Sequence, residues 1–363
     1  MPSILEVVSP GFLTTVQDSG RFGYRSIGMP VTGALDQYSY KVANLLVGND
    51  ENAACLEITL LGPTLKVHGS AVIALTGAVF QAALNEQPLP QWQAVEVKEN
   101  DIITISEAKV GARGYLAVAG GFDVPMVMGS RSTYIRGKIG GFQGRPLQKG
   151  DKLEIGSPSK EPSQYVGKLI PIEYVPKYVI NADNDIIILR VVMGPQDDCF
   201  SQKGVQNFLN STYVITAESD RMGYRLEGKR VEHISKNHAQ IISDGIPLGA
   251  VQIPGDGMPI IMLADGQTTG GYPKIATLCT ADLPLLAQGK PGDKVQFVAI
   301  TREEAVYLLK EQEDKLCKLR VMLNPNASAT AKHFRVEVGN RYFDVWVEER
   351  QVMKGGTANA TQS

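Results

Sequence analysis

A chain of 363 residues, 43% hydrophobic and 20% charged, has ordinary globular composition and room for two or three domains. Its 36 basic and 38 acidic side chains leave a formal net charge of -2, which argues against nucleic acid as a partner and against anchoring to a membrane through a basic cluster. No apolar stretch approaches the roughly 20 residues of a membrane helix, the start Met1-Pro2-Ser3-Ile4-Leu5-Glu6 lacks the basic-then-apolar order of a secretory signal, and four scattered cysteines without a CxxC pair point to reduced thiols in a cytoplasm.

The 37 glycines and 20 prolines are spread evenly, with short Val-, Ile- and Leu-rich segments between them, the pattern of many short strands joined by tight turns. The chain therefore reads as mainly β with a few helices. The first helix is expected from Asp36 to Val47, with Asp36 as its cap, Leu35, Tyr38, Val42 and Leu45 on one face and Gly48 as its stop. Residues 71–76, 101–106 and 114–119 read as strands buried on both faces, with a turn at Asn85-Glu86-Gln87-Pro88. Gly150-Asp151-Lys152 and Gly292-Asp293-Lys294 each open an alternating strand, and each follows a Gly-Gly-aromatic segment. The recurrence fits either two related β-domains or the general frequency of Gly-Asp turns. Residues 157–180, with four prolines, read as an extended linker. A short helix is expected near Gln202 to Leu209. A longer one starts at Thr301, where Thr301 and Glu304 form a capping box and Ala305, Val306, Leu308 and Leu309 share a face. Phe334 to Val347 reads as a hairpin around Gly339-Asn340, and the small, polar residues 350–363 as a disordered tail. The expected division is thus 1–156, linker 157–180, 181–318, hairpin extension 319–349 and tail.

Four segments concentrate polar groups and glycines. Thr14 to Arg21 holds Gln17, Asp18 and Arg21, which fit a turn with Asp18 bonded to its own backbone and paired with Arg21. Gly129-Ser130-Arg131-Ser132-Thr133-Tyr134 could hold a carboxylate or phosphate on the Arg131 fork, or close a loop through an ion pair. In Ser219-Asp220-Arg221-Met222-Gly223-Tyr224-Arg225 the arginines would keep Asp220 ionised, in a site or in a structural ion-pair network. The segment Asp265-Gly266-Gln267-Thr268-Thr269-Gly270-Gly271-Tyr272-Pro273-Lys274 follows an apolar strand and has the inventory of a catalytic loop: a carboxylate, hydroxyls, glycines that free backbone N–H groups, and a lysine. Lys274, Asp265 and Asp220 are the candidate catalytic residues. Arg131, Thr133, Arg221, Gln267, Thr268, Thr269 and Tyr272 are the candidate substrate-binding ones, and all are expected around one open cavity. The sequence holds no Gly-x-x-x-x-Gly-Lys-Ser/Thr loop, no Gly-x-Ser-x-Gly elbow and no metal-ligand spacing of His and Cys.

Further motifs appear in order: Thr15-Val16-Gln17-Asp18, Gly33-Ala34-Leu35-Asp36, Ala43-Asn44-Leu45-Leu46-Val47-Gly48-Asn49, Leu56-Glu57-Ile58-Thr59 and Gly245-Ile246-Pro247-Leu248-Gly249. With the segments above, the set resembles the biotin-dependent carboxyltransferase, KipA or allophanate-hydrolase-subunit-2 family over about residues 4–300. The resemblance implies cyclophilin-like β-barrel domains, a KipI-like protein and a further 5-oxoprolinase component as partners, and assembly into a complex that consumes ATP. Members serve as the C component of ATP-dependent 5-oxoprolinase, as the carboxyltransferase half of urea carboxylase, or as an antagonist of a kinase inhibitor. A chain of this size is most similar to the 5-oxoprolinase component. The hairpin at 334–347 is similar to the strand pair that precedes biotin carriers, yet no Met-Lys-Met follows, so biotin is not expected on this chain.

Overall fold

The computed structural model of the chain describes residues 3–180, 186–324, 332–338 and 341–347. The N-terminal half is an open, curled sheet of nine strands: β1 (Ile4–Ser9), β2 (Leu13–Gln17), β3 (Cys55–Thr59), β4 (Thr64–His68), β5 (Ala71–Leu84), β6 (Gln87–Pro88), β7 (Ala94–Val97), β8 (Ile102–Val118) and β9 (Lys152–Glu154). The apolar runs lack polar alternation because both faces are covered. Leu56 and Ile58 of β3 and Leu116 and Val118 of β8 join one core, with Leu5, Val7 and Ile73. Cys55 of β3 and Tyr115 and Ala117 of β8 join a second core on the opposite face.

Helix α1 (Gln37–Leu46) lies on that second face, with Asp36 as its cap accepting from the Ser39 N–H at 2.9 Å. The segment expected as an open linker is a packed strap instead. It carries 3-10 turns at Pro162–Tyr165 and Ile172–Tyr174 and the short helix α2 (Lys177–Ile180), and Tyr165 and Ile170 bury themselves beside α1 because their apolar bulk has a sheet face to cover.

The second half is a closed barrel in the order β10 (Ile186–Met193), β17 (Lys274–Leu278), β14 (Ala250–Gln252), β15 (Ile260–Met262), β12 (Gly223–Glu227), β11 (Thr212–Ile215) and β18 (Lys294–Ala299), which meets β10 in parallel. Outside the barrel stand helices α3 (Gln202–Asn210) and α4 (Leu283–Ala287), and a two-residue ladder of β13 (Asp244–Gly245) with β16 (Thr269–Gly270). The two Gly-Asp turns recur in detail. Gly150 and Gly292 both take positive φ, and Asp151 and Asp293 accept the N–H three residues earlier, at 2.8 and 2.9 Å. The strands they feed differ: β9 runs antiparallel to β1, whereas β18 runs parallel to β10.

Thr301 and Glu304 do form the capping box of α5 (Arg302–Leu323). The helix runs past residue 318, and its buried face differs from the expected one. Val306 and Leu309 are exposed, while Leu316, Leu319 and Leu323 reach across to α1 and join the N-terminal core. A C-terminal hairpin pairs β19 (Lys332–Val338) with β20 (Arg341–Val347). Its expected turn at Gly339-Asn340 and the tail 350–363 lie outside the described residues. Leu319→Ala is expected to cost about 2–5 kcal/mol of stability in equilibrium urea unfolding. No measurable loss would show that α5 does not clamp the sheet.

Candidate functional site

The ten candidate residues fall into four places rather than one. Arg221 and Asp265 meet in a sealed ionic network between the halves. Arg221 precedes β12 and Asp265 follows β15, so the barrel strands bring them side by side, Nε to Oδ2 at 3.0 Å. The same guanidinium bonds Glu57 Oε1 from β3 and, at 2.6 Å, the Gly33 carbonyl. Glu57 in turn accepts from the Leu35 N–H at 2.9 Å and from Tyr115 Oη at 2.8 Å, its cross-strand neighbour on β8. Burial works against the Arg221 charge, but the Asp265 and Glu57 carboxylates outweigh it and raise its pKa above the ordinary arginine value. Side-chain exposures of 6% for Arg221 and 1% for Glu57 leave no room for a substrate. Arg221 and Asp265 are therefore fasteners here, not ligand contacts.

A second, neutral fastener lies beside it. Gln288 Oε1 accepts from the Ala112 and Arg113 N–H groups at 3.1 and 3.0 Å, and its Nε2 donates to Asp36 Oδ2 at 2.8 Å. Asp36 also accepts from the Ser39 hydroxyl at 2.6 Å and from Tyr178 Oη of the strap at 2.9 Å. Burial pushes its carboxyl above the usual range, against those hydrogen bonds.

Arg131 and Thr133 are occupied by backbone. Arg131 Nε donates to the Val124 carbonyl at 3.0 Å and Thr133 Oγ1 to the Val16 carbonyl at 2.9 Å, so loop backbone takes the Thr133 hydroxyl and one of the donors of the Arg131 fork. Asp18 organises that loop, accepting from Gly20 N–H at 2.9 Å, Ser130 Oγ at 2.8 Å, Ser132 Oγ and the Arg131 N–H. Arg21 does not pair with Asp18; it donates to the Val127 and Ser132 carbonyls and to Thr32 Oγ1. Asp220 is half-exposed, bonded to the Met222 N–H of its own turn and to Arg136 at 3.2 Å, which removes it from the catalytic set.

Gln267, Thr268, Thr269 and Tyr272 lie on the segment that contributes β16 and leads into Lys274 at the start of β17, next to the β13–β16 ladder. Lys274 Nζ reaches Asp244 Oδ2 at 3.2 Å, with the lysine side chain 1% and the aspartate side chain 56% exposed. The Gly245 N–H, and then Lys274, hold the Asp244 carboxyl below the usual carboxylate range. Gln196 bridges the pair: its Oε1 accepts from the Lys274 N–H at 3.1 Å and its Nε2 lies 3.4 Å from Asp244 Oδ2. Thr268 accepts from the Ile246 N–H through its carbonyl at 3.0 Å, and Thr269 pairs with Gly245 in the ladder. Asp244, Gln196 and Gln252 escaped the sequence reading. Asp244 stands directly before the Gly245–Gly249 motif, which was its available signal, whereas neutral glutamines leave none.

An open cleft of about 1000 Å³ lies elsewhere between the halves, lined by Thr32, Leu35, Tyr38, Lys41, Leu263 and Leu283 among others; none of the ten candidates lines it. Among the described residues no group of three His, Cys, Asp or Glu could hold a metal ion, and no helix is long and apolar enough to cross a membrane.

Residues 27–299 match the carboxyltransferase domain, subdomain A and B. The chain belongs to this family. It is similar to the C component of 5-oxoprolinase from Escherichia coli, 38% identical over 85% of this chain and 96% of that one. It is also similar to the C component of 5-oxoprolinase from Haemophilus influenzae, 36% identical over 88% of this chain and 98% of that one. The crystal structure of the K. lactis urea amidolyase superposes with a TM-score of 0.79 at 33% identity, over 88% of this chain but 20% of that one. The open sheet and closed barrel are thus the carboxyltransferase fold.

Arg221→Met leaves Glu57 and Asp265 buried without their cation. It is expected to cost about 3–5 kcal/mol in urea unfolding, against at most about 0.5 kcal/mol for exposed Asp220→Ala. Equal, small effects would remove Arg221 from its role as fastener.

Proposed function

We propose that this chain is the C component of a 5-oxoprolinase. In this reading it works with a KipI-like protein and a further 5-oxoprolinase component in the cytoplasm to open 5-oxo-L-proline to L-glutamate at the expense of ATP. The observation that carries this reading is the extent of the match: alignment to the E. coli protein takes in 96% of its length, whereas the urea amidolyase match takes in one fifth. The Lys274 site supports it chemically. A cation set among side-chain amides suits a small molecule that carries a carboxylate beside an amide.

The lactam carbon is a poor electrophile because its nitrogen lone pair is delocalised onto oxygen. Transfer of the ATP γ-phosphoryl group to the lactam oxygen makes that carbon electrophilic. Water then adds, the ring C–N bond breaks with a proton moving to nitrogen and leaves an acyl phosphate, and a second water releases phosphate from it to give the carboxylate. ATP is a substrate of the assembly in this reading, and the part played by this chain is to bind and orient the lactam through Lys274. Orientation of this kind is a large share of catalytic advantage in general.

The similarity to urea amidolyase favours one other reading, a carboxyltransferase component that receives its carboxyl group from a biotin carrier on another chain. The full chain co-purified with its two partner proteins is expected to form glutamate from 5-oxo-L-proline and ATP, without inhibition by avidin. Lys274→Met in the same complex is expected to lower turnover at least about 100-fold, as losses of positioning groups do. Urea-dependent, avidin-sensitive ATP consumption with no glutamate formed would replace this reading by the second.

A further inference from the structure

We propose that Asp244 is a displaceable counter-ion: it holds Lys274 in the absence of ligand and gives up its position to the carboxylate of a small lactam acid. The proposal deepens the reading above and rests on it for the identity of the lactam.

The pair is unequal in a way that the Arg221 network is not. Arg221 is held by two carboxylates that are themselves 1% and 6% exposed. Lys274 is as deeply buried as either of them, yet its one ion partner among the described residues carries a side chain that is 56% exposed. A buried ammonium needs a partner, because water no longer solvates it. Here the partner sits on a strand of two residues, Asp244–Gly245, paired only with Thr269–Gly270 and separate from the barrel sheet. Releasing Asp244 from Lys274 exposes a carboxylate that is already half in water. The strand that carries it has two registered residue pairs, flanked by the Ile246 N–H to Thr268 carbonyl bond at 3.0 Å and the Ile241 N–H to Gly271 carbonyl bond at 2.8 Å.

The surroundings match an amide as well as a carboxylate. Gln196 already spans the Lys274 backbone and the Asp244 carboxylate. Gln252 and Gln267 turn their amide nitrogens towards Gly270, where an added Cβ would lie 3.2 and 3.3 Å from them. Gln252 is buried, and its Nε2 reaches the Tyr272 carbonyl only at 3.5 Å, the outer limit of a hydrogen bond. An ammonium for the carboxylate, amide N–H groups for a ring carbonyl and amide oxygens for a ring N–H form the complement of a lactam acid. Glycine is needed at 270 for these side chains to close on it, since a Cβ there would also come within 2.7 Å of the Ile246 side chain.

An internal competitor lowers apparent affinity by the fraction of time it occupies the site. Removing the Asp244 charge should therefore tighten binding. The test is isothermal titration of the full-length chain with 5-oxo-L-proline, with 2-pyrrolidinone (a lactam without the carboxylate) and with cyclopentanecarboxylate (a carboxylate without the lactam). Asp244→Asn is expected to bind 5-oxo-L-proline about tenfold more tightly than the natural chain, the gain for a site closed about nine-tenths of the time. Both partial analogues are expected to bind at least about tenfold more weakly, and Lys274→Met to abolish binding, with circular dichroism as the check on folding. Because Asp244 is exposed, its variant keeps the test decisive even if Lys274→Met unfolds. Equal or weaker binding by Asp244→Asn overturns the proposal, as does unchanged affinity without the lysine charge. Glutamate formation by the complex with an unaltered Asp244→Asn affinity would sink the gate and spare the 5-oxoprolinase reading. Tightened carboxylate binding with no glutamate formed would do the reverse.

Discussion

A positive charge taken out of water must be given a partner, and the arrangement of this chain follows from how it partners Arg221. That guanidinium is fixed by Asp265 from its own barrel and by Glu57 and the Gly33 carbonyl from the other half. Glu57 is fixed in turn by Tyr115 and by the Leu35 N–H at the entry to α1. The strand β3, the helix start and the barrel mouth are thereby tied to one charge. Gln288 repeats the tie with neutral groups, joining Asp36 to the β8 backbone. The large leucines of α5 add apolar area across the same boundary. Networks of this kind are costly to leave half-made, which is why they hold one arrangement of the two halves rather than several.

Lys274 shows the same constraint met differently. Its carboxylate comes from outside the barrel, on a short and exposed ladder. A network satisfied wholly from rigid, buried elements has no spare valence for a ligand. One that borrows a partner from the surface does. The contrast separates charge held wholly by buried partners from charge held by an exposed one among residues that look alike in composition, and the proposed binding site rests on it.

The β-rich architecture was legible because short apolar runs between glycines have few other uses. The starts of α1 and α5 were legible because Asp36, Thr301 and Glu304 cap with side chains whose spacing is local. What was not legible depends on contacts remote in sequence. Glu57 sits inside Leu56-Glu57-Ile58-Thr59, where a lone acid in an apolar run gives no hint that it faces Arg221. The face of α5 was misread because its first turns carry Val306 and Leu309 outward, while burial falls to leucines further along. Arg131, Thr133 and Asp220 drew attention through local polar density, yet that density serves loop carbonyls, a turn and a surface ion pair. The loop ending in Lys274 was found, but Gln196, Gln252 and Asp244 come from three other segments that only the fold brings to it.

The central claim is that a small carboxylate binds on Lys274 and not in the cleft of about 1000 Å³ between the halves. A crystal structure of the full-length chain grown with 5-oxo-L-proline tests it most directly. The expected result places the ligand carboxylate within hydrogen-bond reach of Lys274 Nζ, with Asp244 turned away and the ring amide against Gln196, Gln252 or Gln267. Ligand density in the cleft beside Tyr38 and Lys41, with the Lys274–Asp244 pair intact, would contradict it.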